Sequence, residues 1–279
     1  MARKRQIERL LLIICEGTKT ETQYFKWLSE VIAIPKGIWS KVEVHSSDTI
    51  PNDISISKNG ELGARKKRQF RSENPNKRNQ TKDVLRELWE HVYGTDIDSK
   101  KYEDIKAQPL RYVAQAQCIE QDQGVYDELW AVFDKNGHKY HKEAFERAQQ
   151  KVNGKVTNIA FSNRSFEQWI LLHFEKSNRI FEQTECKEGK KSLECNALQG
   201  CKGETCLVGY IRKNYLSNYE KSSDNEELTL MMDELIKRHD SAFENANWLR
   251  QQYTNSDLPI YERNPYSDVD ALIKSLLNL

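Results

Sequence analysis

The stretch Leu10-Leu11-Leu12-Ile13-Ile14-Cys15-Glu16-Gly17-Thr18 decides the fold. Six apolar residues in succession, with no polar alternation, predict a β-strand buried on both faces. Glu16 and Gly17 end it. Thr18 then opens a helix whose apolar face carries Tyr24, Phe25, Leu28 and Ile32, and Pro35 and Gly37 stop that helix.

The same alternation continues along the chain. Val42 and Val44 mark a short strand. Leu129-Trp130-Ala131-Val132-Phe133 reads as a second buried strand, ended by Asp134 and the turn residues Asn136 and Gly137. A helix with Tyr140, Ala144, Phe145 and Ala148 follows, then a strand over Val156–Phe161. The helix Ser165–Phe174 comes next, with Phe166, Trp169, Ile170 and His173 at helical spacing. Strand and helix in turn predict an α/β fold, a mostly parallel sheet flanked by helices on both faces. Helices are also expected over Thr81–Tyr93 and Ile105–Ile119. From Leu207 onward the pattern is helical, with Leu228–Tyr253 read as one long helix and Val269–Leu277 as the last. We divide the chain into an α/β core over 1–178, a Cys-rich insertion over 179–210 and a C-terminal helical region over 211–279 that packs on the core.

The chain has 279 residues, of which 38% are hydrophobic and 30% charged, a composition that supports a sizeable core. No run approaches the roughly 20 apolar residues of a membrane span. Leu10–Cys15 is too short for a secretory signal and lacks a cleavage site, so a cytoplasmic, reducing location is expected. The net charge of +1 conceals segregation: residues 58–82 carry nine bases against two acids, and residues 83–150 nine against fourteen. The segment 46–80 is poor in apolar residues and reads as a long basic loop. Arg65, Lys66, Lys67, Arg68 and Arg71 within it are either a solvated surface or a contact for nucleic-acid phosphates.

In open α/β sheets, ligands bind beyond the carboxyl ends of the strands. Glu16 and Asp134 stand at two such ends and Glu167 just past a third, while Glu21 lies a little over one helical turn beyond Glu16. Carboxylates gathered without matching bases repel one another unless a cation sits among them. Hard ions such as Mg²⁺ or Mn²⁺ take oxygen ligands and suit phosphodiester hydrolysis. Glu21 and Glu167 also fit as first-turn helix acids favoured by the helix dipole.

Four of the six cysteines, Cys186, Cys195, Cys201 and Cys206, fall within 21 residues. They would suit a structural Zn²⁺, although their spacing is not the paired Cys-x2-Cys pattern, and four reduced thiols are an equal alternative. Cys15 and Cys118 read as packing residues. His138 and His141 share a helical face near Asp134 and read as a surface pair, with His138 the one to test for metal ligation or proton transfer. His173 reads as a satisfied core residue. Arg164, and less specifically Lys135, are placed to meet a phosphate. Gly17-Thr18-Lys19-Thr20 lacks the spacing of a nucleotide phosphate loop.

Three motifs in order are similar to one known family. Leu12 to Phe25 (LIICEGTKTETQYF) resembles the opening motif of RloB-like proteins, the group that includes the AbiLii abortive-infection proteins. Val132 to His138 (VFDKNGH) resembles their second acidic motif, and Ser162 to Phe174 (SNRSFEQWILLHF) is the most distinctive match. Asn264-Pro265 before the last helix is also similar.

The resemblance implies a Toprim-like (Rossmann-like) fold related to that of overcoming-lysogenization-defect nucleases. It further implies a divalent-metal site of Glu16, Glu21 and Asp134, action on nucleic acid (RNA or DNA), and a place in bacterial anti-phage defence. Asn136 and Glu167 would complete the site, and Lys19, Lys135, His138 and Arg164 would meet nucleic acid beside the basic cluster. Where the Toprim pattern has Asp-x-Asp, this chain has Asp134-Lys135-Asn136, which removes one negative charge. The alternative to a nuclease is therefore a non-catalytic nucleic-acid-binding or sensor subunit, with a partner protein of a defence operon doing the cutting. The oligomeric state is left open.

Overall fold

The computed structural model describes residues 8–46, 109–185, 206–219 and 225–279. The expected basic loop beyond Ser46, the helix over Thr81–Tyr93, and Cys186, Cys195 and Cys201 lie outside the described residues.

The strand β1 (Leu10–Cys15) occupies the position its apolar run demands. It pairs in parallel with β2 (Lys41–Ser46) on one side and β3 (Glu128–Asp134) on the other. Leu11 to Cys15 are all 0% exposed. Full burial of an aliphatic side chain contributes about 1.5–3 kcal/mol, so this strand is a major source of stability. β4 (Thr157–Asn163) continues the parallel set beside β3. β5 (Tyr266–Ser267) joins β4 antiparallel and gives the order β2-β1-β3-β4-β5. The fold is thus α/β, with a five-stranded, mostly parallel sheet and helices at the C-terminal end of the chain.

Side-chain alternation along each strand divides the core in two. Leu12, Ile14, Leu129, Ala131, Phe133 and Phe161 pack under α2 (Pro109–Gln123) and α3 (His141–Ala148). Leu11, Ile13, Cys15, Trp130, Val132 and Ala160 face α1 (Thr20–Leu28), α4 (Glu167–Leu172) and the later helices. Those later helices are α5 (Leu207–Asn214), α6 (Asn225–Ile236), α7 (His239–Gln251) and α8 (Val269–Leu277). A π-helical turn, Ser29–Ala33, extends α1, and the Ser29 hydroxyl bonds back to the Phe25 carbonyl at 2.6 Å. No helix among the described residues is long and apolar enough to cross a membrane.

One expectation needs correction. The single helix over Leu228–Tyr253 is two, α6 and α7, broken at Arg238, whose backbone leaves the helical region at φ −112° and ψ 8°. No proline or glycine marks the break. It arises from packing: α6 lies on α1, and α7 lies on α4. The turn also brings His239 Nε2 to 3.2 Å from the Tyr24 hydroxyl, which accepts from Trp169 Nε1 at 3.0 Å.

Candidate metal centre

The parallel ladder carries Glu16 past the end of β1, where its backbone N–H still donates to the Val132 carbonyl at 2.9 Å. Asp134 closes β3 on the neighbouring strand. Lys135 to His138 then form a tight turn, with His138 N–H donating to the Lys135 carbonyl at 2.8 Å and Gly137 at φ +77°. A positive φ favours glycine, and this one turns His138 back over the strand ends. The His138 imidazole hydrogen-bonds through Nε2 to Glu16 Oε1. The Asp134 backbone N–H donates to Glu16 Oε2 at 3.1 Å.

Glu16, Asp134 and His138 each present a donor atom within 4.8 Å of the others, forming a group able to hold a metal ion. Asp134 is buried, at 4% exposure, while the side chains of Glu16 and His138 are 15% and 18% exposed. The group therefore opens to solvent on one side. Two carboxylates and one imidazole fit a divalent ion that accepts both oxygen and nitrogen. That donor set suits Mn²⁺ better than Mg²⁺, which prefers oxygen alone.

His141 corrects the expectation of a surface pair. It is 3% exposed and its Nε2 donates to the Asp134 carbonyl at 3.1 Å. Burial lowers its pKa to about 4, so at neutral pH it is an uncharged brace for the strand end. The ring centroids of His138 and His141 are 6.5 Å apart, yet the two do different work.

Glu21 is buried on the first turn of α1 and folds back over Gly17. A Cβ at Gly17 would sit 1.8 Å from Glu21 Oε2, so only glycine leaves room for this carboxylate. The Thr22 hydroxyl donates to the Gly17 carbonyl at 2.6 Å and fixes the entry to the helix. Glu21 and Asp134 line one narrow crevice with Val132 and Phe166. Glu21 thus adjoins the centre without belonging to the three-residue group. From α2, the buried Tyr112 faces the charges of Glu16, Asp134 and Glu21, and burial together with those anions holds its hydroxyl protonated far above the ordinary range. Sequence reasoning missed Tyr112, because one tyrosine on an amphipathic helix reads as core.

Glu167 lies in the interior, at 0% exposure. Its Oε2 accepts from the Ser165 hydroxyl at 2.7 Å and its Oε1 from the Tyr219 hydroxyl at 2.8 Å. The structure does not bring it into the metal-ligating group. Tyr219 arrives from the segment after α5, and no spacing in the sequence signals that contact. Asn136 is exposed on the turn, and its backbone N–H donates to the Arg164 carbonyl at 3.3 Å. Lys135 reaches sideways toward Tyr261, its Nζ 5.9 Å from the ring centre, and partial burial lowers its pKa. Arg164 is half-buried beyond β4, and Lys19 is exposed before α1. Arg65, Lys66, Lys67, Arg68 and Arg71 lie outside the described residues. Of the four clustered cysteines, Cys206 is buried and caps α5, its Sγ accepting from the Gly209 N–H at 3.3 Å.

Comparison with curated proteins and with solved structures finds no match. A family model, described as RloB-like protein, matches residues 11–276, from within β1 to within α8. That span covers nearly the whole chain, including both strand ends that carry the acidic centre, and so the chain belongs to the RloB-like protein family.

Proposed function

We propose that this protein is a divalent-metal-dependent hydrolase of nucleic-acid phosphodiesters, acting in prokaryotic anti-phage or abortive-infection defence. The observation that carries the reading is the convergence of Glu16, Asp134 and His138 at the carboxyl ends of adjacent parallel strands. This is where open α/β sheets place ligand chemistry. The arrangement also supports a Toprim-type reading of the sheet.

A bound divalent ion would supply an activated water and neutralise charge developing on the phosphoryl group. Glu16 and Asp134 would hold it through carboxylate oxygens and His138 through its imidazole. The Asp134 N–H fixes the Glu16 carboxylate, and the His141 donation to the Asp134 carbonyl fixes the strand end. Glu21, buried beside them, adds negative charge that raises affinity for a cation. Arg164 and the basic segment beyond β2 grip the polyanionic backbone. We infer Mn²⁺ as the preferred ion because an imidazole shares the donor set. A structural Zn²⁺ at Cys186, Cys195, Cys201 and Cys206 is a separate proposal, tested by elemental analysis of protein purified without added metal.

The test is cleavage of tRNA, single-stranded DNA and duplex DNA with Mn²⁺ or Mg²⁺, comparing the natural chain with Glu16→Gln. Cleavage should need the metal and be lost in the variant. Cleavage that persists in EDTA or in Glu16→Gln rules the reading out. The exposed Asn136, which adds no carboxylate to the centre, favours a second reading, a nucleic-acid-binding subunit whose partner protein cuts. In that case the chain binds nucleic acid without cleaving it, and Asn136→Asp gains activity.

A further inference from the structure

One strand beyond the centre, a cation-and-aromatic rim runs along the same carboxyl edge of the sheet. It is built largely by the loop between α7 and β5, which holds a 3-10 turn at Ile260–Glu262. Lys135, the residue after Asp134, is carried there by its backbone, whose N–H donates to the Ser162 carbonyl of β4 at 3.0 Å. Its ammonium lies 5.9 Å from the Tyr261 ring centre, at the outer limit of a cation–π contact. Tyr261 is partly buried against the core, and Phe145 at 5.6 Å and 51° supports its ring.

The loop is held firmly. Arg263 places its guanidinium 5.6 Å from the Tyr253 ring centre and 5.7 Å from that of Tyr266. Its carbonyl accepts from Asn163 Nδ2 at 2.8 Å, which ties the loop to the end of β4. The opposing charge here is the exposed Glu262.

A partly buried aromatic ring at the surface of the core, with a lysine beside it and an arginine on a fixed loop, has the composition of a stacking site for an unpaired base with its phosphate. Duplex bases are already stacked and cannot use such a ring. We propose that Tyr261 and Lys135 form a subsite for single-stranded nucleic acid next to the metal centre, positioned by Arg263. The base lies on Tyr261, and the adjoining phosphate meets Lys135. This rests on the nucleic-acid reading above and narrows it to single strands or unpaired loops.

The experiment is fluorescence anisotropy of the full chain with a labelled 12-nucleotide RNA, the DNA of the same sequence, and its duplex, all in EDTA so that no cutting occurs. Tyr261→Ala should weaken single-strand binding roughly tenfold, while Tyr261→Phe, which keeps the ring, stays near the natural value. Lys135→Gln should weaken binding and reduce the slope of log affinity against log salt by about one. Glu262→Gln should tighten it. Circular dichroism checks that Tyr261→Ala is folded, and Tyr261→Leu with Tyr261→Phe replaces that pair if it is not. Absence of oligonucleotide binding, equal single-strand affinity in the ring-less variant, or an equal loss on duplex overturns the subsite. Because binding is read without metal, a failed cleavage assay beside the expected binding pattern refutes the hydrolase and leaves the subsite standing.

Discussion

Gly17 and Glu21 are packed against each other so closely that a methyl group on Gly17 would overlap the Glu21 carboxylate, with 1.8 Å between Cβ and Oε2. Glu21 in turn lines the narrow crevice that Asp134 also lines. A glycine here is therefore a condition for a buried acid beside the candidate metal centre, rather than a matter of chain flexibility.

Gly17→Ala should lower metal affinity while costing little stability, because the atoms in the way are the far end of a flexible side chain that can swing outward. Glu21→Ala should lower affinity by a similar amount. The double variant should be no worse than either alone, since both changes remove the same carboxylate. Calorimetric titration with Mn²⁺ measures all three. Additive losses would mean that Gly17 acts on something other than Glu21.

His138→Ala should weaken Mn²⁺ binding by on the order of tenfold or more and shift the ion preference toward Mg²⁺, because only oxygen donors remain. Asp134→Asn should weaken both ions. Equal losses for the two ions in His138→Ala would show that the imidazole is not a ligand.

Tyr219→Phe deletes the donor to Oε1 of the fully buried Glu167 carboxylate, whose Oε2 keeps the Ser165 contact. The expected cost is about 1–3 kcal/mol in chemical denaturation. A loss below about 0.5 kcal/mol, within the range of ordinary surface substitutions, would mean that another donor replaces the hydroxyl.

Acid should destabilise the fold through His141, whose pKa burial lowers to about 4, and through two further buried histidines. Burial lowers the pKa of His173 to about 3 and that of His239 to about 4, and their rings lie 5.4 Å apart. His173 Nδ1 donates to the Trp169 carbonyl at 2.9 Å, while Nε2 has no hydrogen-bond partner among the described residues. Below pH 6.5 the unfolded chain takes up protons that the folded one refuses, so stability falls as pH drops from 6.5 toward 4. Asp268 acts in the opposite sense. Burial raises its pKa to about 7, so it favours the folded state at low pH and loses that contribution as pH rises from 4 to 7. Replacing His173 by Gln should flatten the dependence of stability on pH between 4.5 and 6 by about one proton, ~1.4 kcal/mol per pH unit. Urea unfolding at several pH values reads this slope, and an unchanged slope would mean that the ring is protonated in the fold.

The four parallel strands were legible because their evidence is local, whereas the two-residue antiparallel β5 carries no apolar run to read. Five consecutive core side chains in β1, and a similar run in β3, leave no alternative to strands buried on both faces, and ordering by alternating helices makes the strands parallel. The acids at Glu16 and Asp134 were legible for the same reason, since a residue ending a buried parallel strand lies at the ligand-binding edge wherever the sheet closes. The split between α6 and α7 was not, because it depends on which helix each half packs against, with no breaker in the chain.

The sequence by itself determined the α/β class, the family motifs and the two strand-end carboxylates. Tertiary structure decided which side chains join them. It turned His138 onto Glu16, sent His141 inward as a neutral brace, folded Glu21 over Gly17, and enclosed Glu167 with Ser165 and Tyr219 away from the ligating group. The His138–Glu16 and Tyr219–Glu167 contacts join residues that are neighbours only after the chain has packed, 122 and 52 positions apart, while the Glu21 and His141 contacts are local in sequence but take their direction from the packed strand ends. Periodicity along a sequence reports which face a residue occupies, whereas the partner on that face is set by the register and packing of the whole sheet.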